Sequence, residues 1–430
     1  MEMNMRKQEV LAEGFQAELS EKFFRYVAID TRADGAAPAE KEPSNPAERA
    51  FNSMLGVELT RAGAKDEQFI FLSDGSLIVR FDATAGLENK RRPCFAAHVD
   101  TYPKYPGGAV TIVHDYQGGD IELPKSGTVI PAFDLRNFIG QKIVTASGDT
   151  TLGADDKAGV AVMMQLAVDC LAGKIATHGA FDLWFCVDEE IGRVGRSGVK
   201  YLSPEIVASW TGGLVNLDGM SPNGIDVGCF CGYELIVEFF GNDAHPGVEG
   251  SKLKAAHYAA ARLVCDAASA EFRLPWMSEA MQNYLYSTDI TGNASQSRVT
   301  FIPRSFEKED FALIVDRVKE LAGNIAKIFG VRAAFSGYGL QYVNTEPPIR
   351  QNQWLMDALL AAHRDVGYDT KENHIRGGTD GAMVNMTYPD LPSPNIGAGM
   401  YNVHGPREFL VISEMEDCYR IVRRFLELLA

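Results

Sequence analysis

Short apolar runs alternating with helical patterns constrain this chain more than any other feature. Phe95-Ala-Ala-His-Val-Asp100, Phe181 to Val187 and Gly213 to Leu217 have the length of buried strands, and Lys157 to Leu171 has the length of a helix. Strands this apolar must be covered on both faces, and helices between successive strands provide that cover. The pattern predicts an α/β fold, a mixed sheet covered by helices.

Between about Cys229 and Asn344 the texture changes. A strand pattern (Tyr233 to Phe240) leads to an Ala-rich helix (Ser251 to Ala268), then to strand-like pieces at Tyr284 to Thr291 and Ser297 to Ile302. A charged amphipathic helix (Lys308 to Phe329) and a last strand (Val331 to Phe335) complete the order βαββαβ. That order predicts an inserted α+β ferredoxin-like unit. Trp354 to Val366 and Glu414 to Leu429 then resume the helical pattern of the first part. The expected organisation is one domain made of residues 1–228 and 345–430, interrupted by a second at 229–344, which suits 430 residues. The Pro/Ala/Glu-rich piece at 36–48 reads as a surface loop.

Charge and hydropathy remove several classes of function. With 41 Lys+Arg against 57 Asp+Glu the net charge is −16, a field that repels phosphate backbones and anionic lipid, so neither nucleic acid nor a membrane surface is an expected partner. No apolar stretch approaches the ~20 residues that span a bilayer; the longest, Ala158 to Val168, is broken by Gln165. The N-terminal segment reads as a charged amphipathic helix with Phe15, Leu19, Phe23 and Phe24 on one side, without the apolar core of a secretory signal, so the expected location is cytoplasmic. Seven cysteines suit a reducing compartment. Cys94, Cys170, Cys186, Cys265 and Cys418 sit in apolar contexts and read as core thiols, while Cys229-Phe-Cys231 is a weak half of a metal motif.

Four acidic or His-bearing clusters fall where apolar runs end: His98-Val-Asp100, Asp155-Asp156 before the helix, Asp188-Glu189-Glu190 and Asp218. In an open α/β sheet, ligand sites form at the carboxyl ends of the strands. Singly, each cluster has an ordinary reading as a helix cap, a turn former or a solvated charge. Together, carboxylates crowded at one sheet edge repel and raise one another's pKa unless cations hold them. A dinuclear site does so: three carboxylates and a bridging hydroxide balance two Zn²⁺, and imidazole plus carboxylate is a donor set that catalytic zinc accepts. His98 and Asp100 share a strand face, so the carboxylate can hold the imidazole tautomer. Glu189 and Glu190 are adjacent and point apart on a regular strand, which suits one binding metal and the other facing substrate.

His98-Val-Asp100-Thr, Leu152-Gly-Ala-Asp-Asp-Lys-Ala-Gly159, Asp188-Glu-Glu-Ile-Gly192, Asp218-Gly, Ala244-His-Pro-Gly247, Ile375-Arg-Gly-Gly-Thr-Asp-Gly381 and His404-Gly, in this order, resemble the peptidase T (tripeptide aminopeptidase) branch of a family. That family is the dinuclear zinc peptidases, which also include carboxypeptidases, dipeptidases and aminoacylases. The resemblance runs from Phe24-Arg-Tyr-Val to the C-terminal helix. It implies that His98 and Asp218 hold one zinc ion, Glu190 and His404 the other, and that Asp155 bridges both. It further implies that Asp100 orients His98, that Glu189 is the general base, and that a cis peptide joins Asp155 and Asp156. The insert becomes a lid that often carries a homodimer contact. His245 in the lid is implied as a donor to the oxyanion, and Arg304 and Arg376 as grips for the carboxylate of a short peptide. Asp rather than Glu at position 218 favours aminopeptidase action. A carboxypeptidase or an N-acyl amino acid hydrolase on the same metal centre is the alternative, and a dinuclear phosphoesterase is disfavoured by the scarcity of basic residues near the ligands.

Overall fold

A computed structural model describes residues 2–38, 40–192, 198–269 and 272–430. Its largest sheet has eight strands, in the order Phe69–Phe71, Leu77–Phe81, Phe181–Cys186, Cys94–His98, Leu214–Gly219, Asn395–Gly397, Gly224–Cys229 and Lys371–Ile375. The four strands from Phe181–Cys186 to Asn395–Gly397 run parallel, and antiparallel pairings on either side make the sheet mixed.

Both faces are covered, which explains the unbroken apolar runs. Phe95, Ala97, Phe181, Leu183 and Phe185 face a core shared with the helices Glu2–Val27, Ala154–Leu171 and Ile412–Leu429. Cys94, Ala96, Trp184 and Cys186 face a second layer with Trp210, Val384 and Leu391. Ala154–Leu171 is buried almost throughout because it lies between the sheet and the helices Glu2–Val27, Pro46–Ala62 and Ile412–Leu429. Gly159 permits the close approach: a Cβ there would lie 2.9 Å from Leu217 O and 2.6 Å from Asp156 Oδ1.

A separate antiparallel sheet follows the order Tyr284–Gly292, Gln296–Ser305, Cys231–Phe240, Arg332–Tyr342. The helices Ala256–Ser269 and Asp310–Phe329 pack on it through a second core containing Val237, Phe239, Leu263, Phe301, Val318 and Ile325. This is the βαββαβ order expected from the sequence, in the ferredoxin-like arrangement. The chain passes from one sheet to the other between Cys229 and Cys231, so these two do not share a strand. Their thiols are free and buried, lying against Val343 O and Phe306 O. Cys94, Cys186 and Cys418 are core thiols as expected, Cys170 is half-buried, and Cys265 is exposed, on the outer side of its helix.

A third, antiparallel sheet (Met400–Tyr401, Phe409–Val411, Lys142–Ala146, Thr111–Asp115) has no counterpart in the sequence reading. Pairing of Phe409–Val411 with Lys142–Ala146 brings the segment around His404 beside the one leading to Asp155. Among the described residues, no helix is long and apolar enough to cross a membrane.

Candidate metal centre and catalytic turn

His98 is the last residue of its strand, Asp218 lies near the end of the neighbouring parallel strand, and Glu189–Ile191 form a short 3-10 turn just beyond Phe181–Cys186. Asp155 stands at the start of the helix Ala154–Leu171 with non-helical backbone (φ −79°, ψ 103°), and its peptide bond to Asp156 is cis. His404 sits at φ 67°, a left-handed conformation, in the loop between Met400–Tyr401 and Phe409–Val411.

These residues meet around one carboxylate. Asp155 Oδ1 lies 2.9 Å from His98 Nε2, and Oδ2 lies 3.2 Å from His404 Nε2. Glu190 Oε1 is 3.0 Å from His404 Nε2, and Asp218 Oδ1 is 3.7 Å from His98 Nε2. Asp156 joins the His98–Asp218 side of the cluster, but its oxygens accept the backbone N–H groups of His98 and Gly159.

The electrostatics are those of an acid-rich site. Among the described residues, no lysine or arginine pairs with Asp155, Glu190 or Asp218. Burial and the Asp155 charge push Asp218 up to about 8 and Glu190 up to about 7. Burial pulls both imidazoles down, yet the surrounding carboxylates overcome it, holding His98 well above its ordinary value and His404 at about 11. Asp155 is held low: burial opposes this, but the two imidazoles prevail. Among the described residues, the buried Glu190 Oε1 faces only the His404 ring, at 3.0 Å, and in a geometry that does not make a regular hydrogen bond. Two imidazole nitrogens and an excess of carboxylate oxygens converging in a desolvated pocket fit a pair of divalent cations, which would replace the shared protons.

The turn carrying Glu189 is held by buried acceptors. Asp100 Oδ1 accepts the Glu189 N–H at 3.1 Å, and Asp100 Oδ2 accepts the Glu190 N–H at 3.0 Å. His98 Nδ1 lies 3.1 Å from Asp100 O and 3.5 Å from Asp100 Oδ1. Asp188, at φ 58°, donates its N–H to Glu48 Oε2 (2.9 Å) and accepts the Ser44 N–H (2.8 Å). Ser44 and Glu48 are fully buried, so the end of the 36–48 segment is an interior support and not the surface loop its composition suggests. The signal was present: Asn45-Pro46-Ala-Glu48 is a capping box with Pro at the first helical position, and it opens the helix Pro46–Ala62. Burial pushes the Glu189 carboxyl well above its ordinary value.

Other expected site residues lie elsewhere. His245 is exposed at the start of the short helix Pro246–Glu249, and among the described residues no hydrogen bond or ion pair joins its ring to the cluster. Arg304, in the second sheet, donates to Tyr233 O and Pro303 O and lies 5.4 Å from the Tyr342 ring centroid. Arg376 follows the strand Lys371–Ile375 and reaches across to the second unit, donating to Pro275 O, Ser278 O and Ser278 Oγ. Its guanidinium sits 4.9 Å from the Tyr284 ring centroid and 5.6 Å from that of Phe230.

With this geometry in hand, similarity to known proteins is decisive. Residues 152–428 match the peptidase family M20/M25/M40. The chain belongs to that family. This M20 peptidase is 30% identical to peptidase T of Escherichia fergusonii over 423 residues, covering 96% of this chain and 98% of that one. Its fold is also that of a tripeptidase from Staphylococcus aureus subsp. aureus Mu50 (TM-score 0.71, 18% identity, 96% and 98% of the two chains covered). A dinuclear metal-binding peptidase of the M20 family from Bacillus subtilis superposes with a TM-score of 0.62 at 12% identity, covering 96% and 98%. The chain is therefore a metallopeptidase homologous to peptidase T.

Proposed function

We propose that this metallopeptidase is an aminopeptidase that removes the N-terminal residue of short peptides, with tripeptides as the expected substrates and two zinc ions per chain as the cofactor. The observation that carries the reading is the convergence of His98, Asp155, Glu190, Asp218 and His404, with Glu189 on the adjoining turn. His98 and Asp218 would hold one ion, Glu190 and His404 the other, and Asp155 both. When bound, such ions polarise the scissile carbonyl and lower the pKa of water to ~7.

The chain's own residues do the rest. Glu189, with its backbone fixed by Asp100 and its carboxyl made more basic by burial, takes a proton from the attacking water and passes it to the leaving amine. Residues 1–228 and 345–430 form the catalytic domain in this reading, and 229–344 the lid, which is also the surface for a homodimer. His245 donates to the oxyanion once the lid closes or from a second subunit, because its exposed position leaves it outside the cluster. Arg304 and Arg376 flank Tyr284 and Tyr342 on the lid side and grip the peptide's carboxylate.

The test is hydrolysis of a library of free, amidated and N-acetylated di-, tri- and tetrapeptides, with and without chelator. Release of N-terminal residues from free tripeptides, abolished by chelator and restored by zinc, is the expected result. Preference for acetylated peptides, or release from the C-terminus, would replace the reading with an N-acyl amino acid hydrolase or a carboxypeptidase.

A further inference from the structure

We infer that Glu408 is a positioning residue that fixes the shared Asp155 carboxylate and the His404 loop in register with each other for metal binding. The inference rests on the metal reading above. Glu408 is 1% exposed, and both its carboxylate oxygens are committed to one segment some 250 residues away in sequence. Oε1 accepts the Asp155 N–H at 3.0 Å, and Oε2 accepts the Gly153 N–H at 2.8 Å together with the Thr151 hydroxyl. Its own N–H turns back to Gly405 O at 3.2 Å, inside the loop that carries His404, and Thr151 Oγ1 also reaches Gly405 O at 3.4 Å.

Three features make this clamp matter for the site. Asp155 has to offer one oxygen to each imidazole, and that division depends on where its backbone is held. Being non-helical and at the first turn, Asp155 has no helical acceptor for its N–H, and Glu408 supplies one. Apart from the cluster itself, the His404 loop is tied by Asn402 Nδ2 donating to Asp134 Oδ2 at 3.1 Å and by the His404 ring, 44% exposed, stacking on Tyr102 (centroids 4.3 Å apart, planes at 4°). Finally, one group must accept three donors at once, which a carboxylate with two oxygens does and a single amide oxygen does not. Glu408 bonds the backbone N–H of Asp155 and leaves its carboxylate to the two imidazoles, so its role is to place the ligand group and not to act as one.

The competing account is that Glu408 merely caps the helix Ala154–Leu171, which would affect stability but not metal affinity. Metal-free wild type, Glu408→Gln and Glu408→Asp are titrated with Zn²⁺ against a chromogenic chelator, and the Co²⁺ forms are compared by absorption. Circular dichroism reports folding. Glu414→Gln is the control: it neutralises another C-terminal glutamate, one that accepts the Tyr401 hydroxyl (2.6 Å) and makes no bond to the Asp155 segment, while its amide oxygen can still accept that hydroxyl. We expect both Glu408 variants to bind at least one zinc equivalent ~10–100-fold more weakly, the scale of losing a group that orients a ligand, with an altered Co²⁺ spectrum. Glu414→Gln should keep wild-type affinity. Glu408→Asp keeps the charge but not the reach, so it carries the test if the Gln variant does not fold. Wild-type zinc affinity in either folded Glu408 variant would overturn the inference, as would an equal loss in Glu414→Gln. Absence of zinc binding by the wild type would instead overturn the metal reading, and this inference with it.

Discussion

Asp100 is where the structure sets the size of an effect most directly. Its carboxylate is fully buried, and its two oxygens accept the Glu189 and Glu190 N–H groups. Asp100→Asn keeps the volume but turns one acceptor into an NH₂ group, leaving at least one of those amides unpaired. Asp100→Ala leaves both. A buried unpaired donor costs about 1–3 kcal/mol, so we expect losses of about 1–3 kcal/mol for Asn and about 2–6 kcal/mol for Ala. The same change frees the turn on which Glu189 stands, and a 1 Å misplacement of a reacting group can cost ~10² in rate. Metal content should survive in Asp100→Asn, because the main-chain carbonyl of residue 100, 3.1 Å from His98 Nδ1, still accepts from the ring. Urea unfolding of the metal-free protein, zinc stoichiometry and tripeptide turnover together check the set. A wild-type urea midpoint and wild-type turnover in Asp100→Asn would refute the reasoning.

The two adjacent glutamates should separate: Glu189→Gln lowers turnover by at least ~10² with metal content nearly intact, whereas Glu190→Gln loses metal, read by zinc analysis and steady-state kinetics. His245→Ala should lower turnover by ~10² or more without changing zinc content, the cost of one oxyanion donor. Mixing it with Glu189→Gln restores activity only if the site is shared between subunits. His363 gives a pH prediction away from the metal cluster. Its ring is fully buried, Nδ1 donates to Leu359 O at 2.8 Å, Nε2 has no hydrogen-bond partner among the described residues, and burial holds its pKa down to about 4. A histidine with a depressed folded pKa destabilises the fold as pH drops from 6.5 toward 4, because the unfolded chain binds the proton first. This amounts to about 2 kcal/mol between pH 7 and pH 5. His363→Leu should remove that share of the acid sensitivity of the urea midpoint, and an unchanged pH dependence would count against it.

The metal-cluster residues differ in how far the sequence reveals them, and the structure explains why. His98, Asp188 to Glu190 and Asp218 are legible because each ends an apolar run, and parallel strands deliver their ends to one edge. His404 ends no such run. It arrives through a third sheet whose flanking strands, Met400–Tyr401 and Phe409–Val411, are too short to show a period, so only its His-Gly context pointed to it. Arg376 was legible only through its motif Ile375-Arg-Gly-Gly, and its partners Pro275 and Ser278 are a hundred residues away and carry no pattern. The least legible acceptors are Glu408 and the long-range role of Glu48, whose capping box marks a helix start but not the bond to Asp188. What both do there is accept backbone N–H groups, and every non-proline residue offers one of those. They become visible only when the turns that bear the ligands are asked where their amides go. The N–H groups of Gly153 and Asp155 end on Glu408, that of Asp188 on Glu48, and those of Glu189 and Glu190 on Asp100. A site whose turns sit in left-handed or non-helical backbone cannot satisfy those donors locally, so it must recruit buried acceptors from distant segments. Carboxylates, with two oxygens each, hold such a turn with the fewest residues.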